Sequence, residues 1–154
     1  MEADNDPVAV IDALAEHEET LGALYTAYAD LYPTVELWRT LAGEEYGHAA
    51  LLRSLAKRTD ELGPFVDARR FRLDEVRAET VRLRSIVRTA PVAGVGLLGA
   101  FRLALKLEDG LIESQVFTVC EGDSPELAAV LSSLAEATEG HRAHLSEPLS
   151  GKSG

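Results

Sequence analysis

The chain has 154 residues, enough for one domain that buries about 70% of its unfolded surface without a disulfide or a second domain to hold it. Its 26 acidic residues against 15 Lys plus Arg give a formal net charge of -11, a field that repels nucleic acid and anionic membrane, excludes both as expected partners, and mildly attracts cations. The single cysteine, Cys120, cannot form an internal bridge, and the acidic start Met1-Glu2-Ala3-Asp4 lacks the basic and apolar regions of a secretory signal, so a reducing cytoplasm is the expected location.

Period-two alternation is absent over any useful length, and the periodic segments step by three and four, so the chain reads as all-α. Helices are expected near 7–32, 35–58, 74–89, 92–120 and 125–146. The first carries the stripe Ile11, Leu14, Glu18, Leu21, Tyr25, Tyr28, Tyr32, one acid in an otherwise apolar row. Leu31-Tyr32-Pro33-Thr34 turns it into the second, whose stripe is Trp38, Leu41, Glu45, His48, Leu52, Leu55. A connection of roughly 35 residues follows, of the length that a crossover along a bundle needs. It contains Gly63-Pro64 and a short extra helix with the stripe Leu73, Val76, Thr80, Leu83, Val87.

The longest apolar stretch, Ala90 to Phe101 between Arg88 and Arg102, is too short to span a membrane. It reads as the buried beginning of the next core helix, with Gly94, Gly96 and Gly99 marking either close packing or a bend. That helix has the stripe Leu97, Phe101, Ala104, Glu108, Leu111, Gln115. Glu121-Gly122-Asp123-Ser124-Pro125 separates the last pair, with Ser124 as N-cap and Pro125 at the first helical position. The closing stripe is Leu127, Leu131, Leu134, Thr138, His141, Leu145, and residues 150–154 read as a short polar, disordered tail.

Each core stripe is interrupted near its middle by a polar group. If the four helices pack together, Glu18, Glu45, His48, Glu108, Thr138 and His141 converge on one spot, and the two hairpins look like copies of one unit. A buried carboxylate without a partner costs several kcal/mol, by rough estimate, so these residues require a cation, a hydrogen-bond network or a metal. Carboxylates outnumbering histidines favour iron, with manganese as the alternative, over zinc or calcium. A glutamate can also bridge two ions about 3.5–4 Å apart. The acids Glu16, Glu19, Glu44, Glu61, Glu79, Glu113, Glu136 and Glu139 lie off the stripes and are expected to face solvent. Removing Glu44 or Glu139 should then change little.

Glu18 with Tyr25 seven residues later, and the run Leu41-Ala42-Gly43-Glu44-Glu45-Tyr46-Gly47-His48-Ala49, resemble the rubrerythrin branch of the ferritin-like superfamily. Ala104-Leu105-Lys106-Leu107-Glu108 and His141-Arg142-Ala143-His144-Leu145 are similar to that family's second half, so the resemblance runs from about Val8 to Leu149. It implies a ferritin-like four-helix bundle with a long crossover, holding two irons with Glu45 bridging, Glu18 and Glu108 terminal, and one histidine per iron. It also implies reduction of oxygen or peroxide, or oxidation of ferrous iron.

Two departures stand out. The family's second Glu-x-x-His would place an acid where this chain has Thr138, and Glu136 and Glu139 lie about 200° and 100° away around the helix. With three inward acids, the His141 side is expected to hold its ion weakly or to be empty, so the chain is expected to bind one or two irons. The one cysteine cannot build a four-thiolate iron centre, so electrons would come from an external donor protein. The expected ligands are Glu18, Glu45, His48, Glu108 and His141, with Tyr25 as a hydrogen-bond donor to them or a radical trap, or simply as core packing. The competing reading is a non-enzymatic helical scaffold or interaction protein whose core polar groups are linked only by hydrogen bonds. A homodimer is compatible with either.

Overall fold

The structure, a computed structural model, describes residues 7–57, 73–93, 96–113 and 125–149. Among them are five α-helices and no strand: α1 Pro7–Leu31, α2 Glu36–Lys57, α3 Leu73–Ala93, α4 Gly96–Glu113 and α5 Pro125–Ser146, followed by a 3-10 turn at Glu147–Leu149. The all-α expectation therefore holds for the described residues, and none of their helices is long and apolar enough to cross a membrane. Gly63-Pro64, Gln115, Cys120, the turn residues 121–124 and the tail 150–154 lie outside the described residues, as do the side chains of Leu73, Leu111 and Leu127.

α1 stops where Pro33 disfavours a helical Tyr32. The chain then turns through a bond from the Val35 amide to the Tyr32 carbonyl of 3.0 Å, with proline at the position whose φ it presets. α5 begins on Pro125, as expected, since a first-turn residue needs no donor.

Burial follows the helical stripes and divides into two apolar clusters. One joins Ile11 and Leu14 of α1, Leu52 and Leu55 of α2, and Leu131 and Leu134 of α5. The other joins Tyr25 and Tyr28 of α1, Trp38 and Leu41 of α2, Leu83 of α3, Phe101 of α4 and Leu145 of α5. Cluster membership fixes the directions of four helices: α1, α3 and α5 run from the first cluster to the second and α2 runs back, while α4 contributes to the second cluster alone. Between the clusters lies a layer of buried polar side chains from α1, α2, α4 and α5.

Two features differ from expectation. The connecting helix is not short, for α3 has 21 residues against 22 in α2. It lies along α1, burying Thr80 and Leu83, and Arg84 pairs with Glu16 of α1. The helix break also comes later, since α3 continues to Ala93 and α4 starts at Gly96. Gly96 has φ 75, a left-handed conformation that side-chain-bearing residues rarely adopt, so it marks a bend. Leu98 is 50% exposed, and of the stretch's described side chains from Gly96 onward only Ala100 and Phe101 are buried.

The second cluster is organised by Trp38, which is fully buried. Its ring stacks on Phe101 at 4.9 Å between centroids and lies 4.9 Å from Tyr28 and 5.8 Å from Tyr25. Trp38→Ala is expected to lower the unfolding free energy by about 3–5 kcal/mol. Val81→Ala, at a position 63% exposed, should cost less than about 0.5 kcal/mol. Denaturant midpoints of the two variants check the contrast.

Candidate metal centre

Helical spacing brings Glu45 and His48 to one face of α2, three residues apart, and the antiparallel partner α1 sets Glu18 beside them. Ligand atoms of Glu18, Glu45 and His48 all lie within 4.8 Å of one another, and so do those of Glu45, Glu108 and His141. Two triads thus share Glu45. The five residues range from 0% to 9% exposed, and the rings of His48 and His141 are 5.9 Å apart. All five expected ligands are brought together.

The two halves are supported differently. His141 Nδ1 stands 3.0 Å from Glu45 Oε1 and 3.2 Å from Glu108 Oε1. Its other nitrogen, Nε2, lies 2.7 Å from Glu44 Oε1. Tyr25 donates its hydroxyl to Glu108 Oε1 at 2.9 Å, which gives the core tyrosine a direct hold on the site. His48 Nδ1 is 3.6 Å from both Glu18 Oε1 and Glu45 Oε2. Thr138 is buried on the same face as His141, yet its hydroxyl donates to the Leu134 carbonyl at 2.8 Å, one turn back along its own helix.

Glu44 corrects the expectation that it faces only water. Its side chain is 48% exposed, but the carboxylate reaches across to buried His141. The spacing held a signal for this: Glu44 follows Leu41 by three residues and precedes His48 by four, so it borders the buried face instead of opposing it. The other off-stripe acids behave as expected where described. Glu19 takes Arg53 in two hydrogen bonds of 3.0 and 2.6 Å, Glu79 pairs with Arg82, and Glu136 and Glu139 are exposed. Glu61 and the side chain of Glu113 lie outside the described residues. His17 and His144 join neither triad.

Each core acid has one buried oxygen, Glu18 Oε2, Glu45 Oε2 and Glu108 Oε2, with no hydrogen-bond partner. Buried acceptors are nearly always satisfied, so three such atoms around two imidazoles fit a site built for divalent cations. Carboxylate together with imidazole is a donor set that could hold a metal ion. No family model, no curated protein and no solved structure matches the chain.

Without a cation the centre balances its charge with protons. Burial, reinforced by the nearby Glu45, pushes Glu18 up to about 8. Burial pulls His48 down, but Glu18 and Glu45 more than offset it and raise it to about 9. His141 is likewise raised to about 11, burial being outweighed by Glu108 and Glu45. Burial, with Glu108 next, holds Tyr25 well above its usual range, so it stays a donor.

These three upward shifts have one sign. The stabilisation from Glu18 is complete below its ordinary 4.5 and is lost as pH rises through about 8. That from His48 and His141 is complete below 6.5 and is lost through about 9 and about 11. The chelator-treated chain is therefore expected to melt at progressively lower temperature as pH rises across the neutral range toward about 9. Glu18→Gln should flatten the lower part of that slope; a melting temperature that climbs over the same range would contradict the proton-filled centre.

Proposed function

We propose that the chain is a ferritin-like, rubrerythrin-type four-helix bundle, formed by α1, α2, α4 and α5 with α3 as its crossover, that binds two ferrous ions and oxidises them with oxygen or peroxide. The observation that carries this is the pair of buried triads sharing Glu45, with an unpartnered oxygen on every core acid. Glu18, Glu45 and His48 would hold one ion, and Glu45, Glu108 and His141 the other. Manganese fits the same donors.

When bound there, two ferrous ions would supply the two electrons that, with two protons, take hydrogen peroxide to two waters. The protein's own part is to exclude solvent from the centre, orient Glu108 through Tyr25, and hold the protons that a cation displaces. Binding should release protons from Glu18, His48 and His141, which makes uptake weaker as pH falls. Re-reduction requires an external donor, because one cysteine cannot build a four-thiolate centre.

The scaffold reading requires the polar layer to be satisfied by hydrogen bonds alone, and the three orphaned carboxylate oxygens count against it. Anaerobic ferrous titration with elemental analysis tests the choice. Ala at Glu45 or His48 should abolish most binding, while Ala at exposed Glu139 should leave it intact. At a free metal concentration one hundred times the dissociation constant, the unfolding free energy should increase by about 2.7 kcal/mol. No shift with ferrous or manganous ion would favour the scaffold.

The His141 half should be the weaker, because Thr138 brings a neutral hydroxyl, already committed to Leu134, where the repeat would bring a carboxylate. Thr138→Glu is expected to increase occupancy of that half and the turnover of ferrous iron. Lower metal content in a variant that stays folded would show that this position does not serve the site.

A further inference from the structure

Among the described residues, Glu44 is the one acid that reaches the centre from outside its buried core. It belongs to α2, adjacent in sequence to the shared Glu45, yet its contact is with α5: Oε1 lies 2.7 Å from Nε2 of His141. The opposite ring nitrogen, Nδ1, faces Glu45 and Glu108 at 3.0 and 3.2 Å. The imidazole is therefore gripped at one end and presented at the other. His48 has no such grip, for its polar contacts among the described residues are the 3.6 Å approaches of Glu18 and Glu45. The half of the site that receives this carboxylate is also the half in which Thr138 offers none.

We infer that Glu44 is a positioning residue for the His141 half, accepting a hydrogen bond from Nε2–H so that Nδ1 is left to bind the cation, and adding the negative charge that Thr138 does not supply. This role rests on the metal-binding reading above. A carboxylate behind a ligating histidine fixes the ring's tautomer and orientation and strengthens its donor nitrogen. Its partial exposure suits that task, since the charge stays solvated on its outer side while the acceptor oxygen serves the buried ring.

The test is an anaerobic cobaltous titration of the full chain, followed by visible d–d absorption, with retained ions counted by elemental analysis after gel filtration. Glu44→Ala should weaken the second binding step by about 10–100-fold and reduce retained metal from two ions toward one. The spectral component lost should be the one removed by His141→Ala. Glu44→Gln, whose amide oxygen still accepts from Nε2–H but which carries no charge, should recover part of the binding, and Glu44→Ala should add nothing in a His141→Ala background. Circular dichroism melts confirm that each variant is folded.

Wild-type affinities at both steps in Glu44→Ala would overturn the role. So would an equal loss with and without His141, or a loss that Glu44→Gln does not reduce at all, which would show that the hydrogen bond to Nε2 does not position the ring. If the unsubstituted chain takes up no metal, the metal-binding reading fails and this role fails with it; normal uptake with an indifferent Glu44 defeats the role alone.

Discussion

Three carboxylates and two imidazoles lie between two apolar clusters, and the rest of the fold is arranged around the cost of keeping them there. An ionised carboxylate taken out of water loses several kcal/mol of solvation, on the order expected for buried ions, unless opposite charge and hydrogen bonds replace it. Leu14 and Leu21 flank Glu18 in α1, while Leu41 and Leu52 flank the Glu45 and His48 pair in α2; all four are buried. A helix could not slide to expose its acid without also exposing the leucines on either side. The apolar clusters supply the stability, and the polar layer sets the register.

Glu45 is the hinge of the arrangement because it belongs to both triads. The first triad lies wholly within the α1–α2 hairpin, whereas the second takes Glu45 from that hairpin and Glu108 and His141 from α4 and α5. A cation in the first would tighten a pair of helices already in extensive contact. In the second it would join one hairpin to the other. The Tyr25 bond to Glu108 and the Glu44 bond to His141 already cross that junction, so the protein places its best-built hydrogen bonds where a ligand would do the most to hold the two halves together.

Much of this was legible in the sequence, for a physical reason. A stripe stepping by three and four reports which face of a helix is buried, and Glu18, Glu45, Glu108 and His141 stand out because they break such stripes. What stripes cannot report is reach. Glu44 sits at the border of its stripe, and its long side chain crosses to a helix 97 residues away in sequence; only packing shows that α5 comes within range. The same limit hid the Thr138 hydroxyl's bond to Leu134, because burial of a threonine does not say where its hydroxyl points. The length of α3 was underestimated because the apolar stretch from Ala90 read as the beginning of the next helix, yet α3 carries on to Ala93.

The asymmetry between the halves follows from the threonine at position 138. With an acid there the centre would hold four inward carboxylates, and without a cation the fourth would need another proton or counter-charge in the same dry layer. Threonine removes that demand, since its hydroxyl satisfies itself on its own helix. The loss in negative charge is offset by Glu44, which is half in water and carries little of the desolvation cost that an inward acid would bear. Moving one carboxylate from the core to its rim therefore eases the metal-free fold while keeping negative charge beside His141, and it leaves the two triads unlike each other in charge, support and access to solvent.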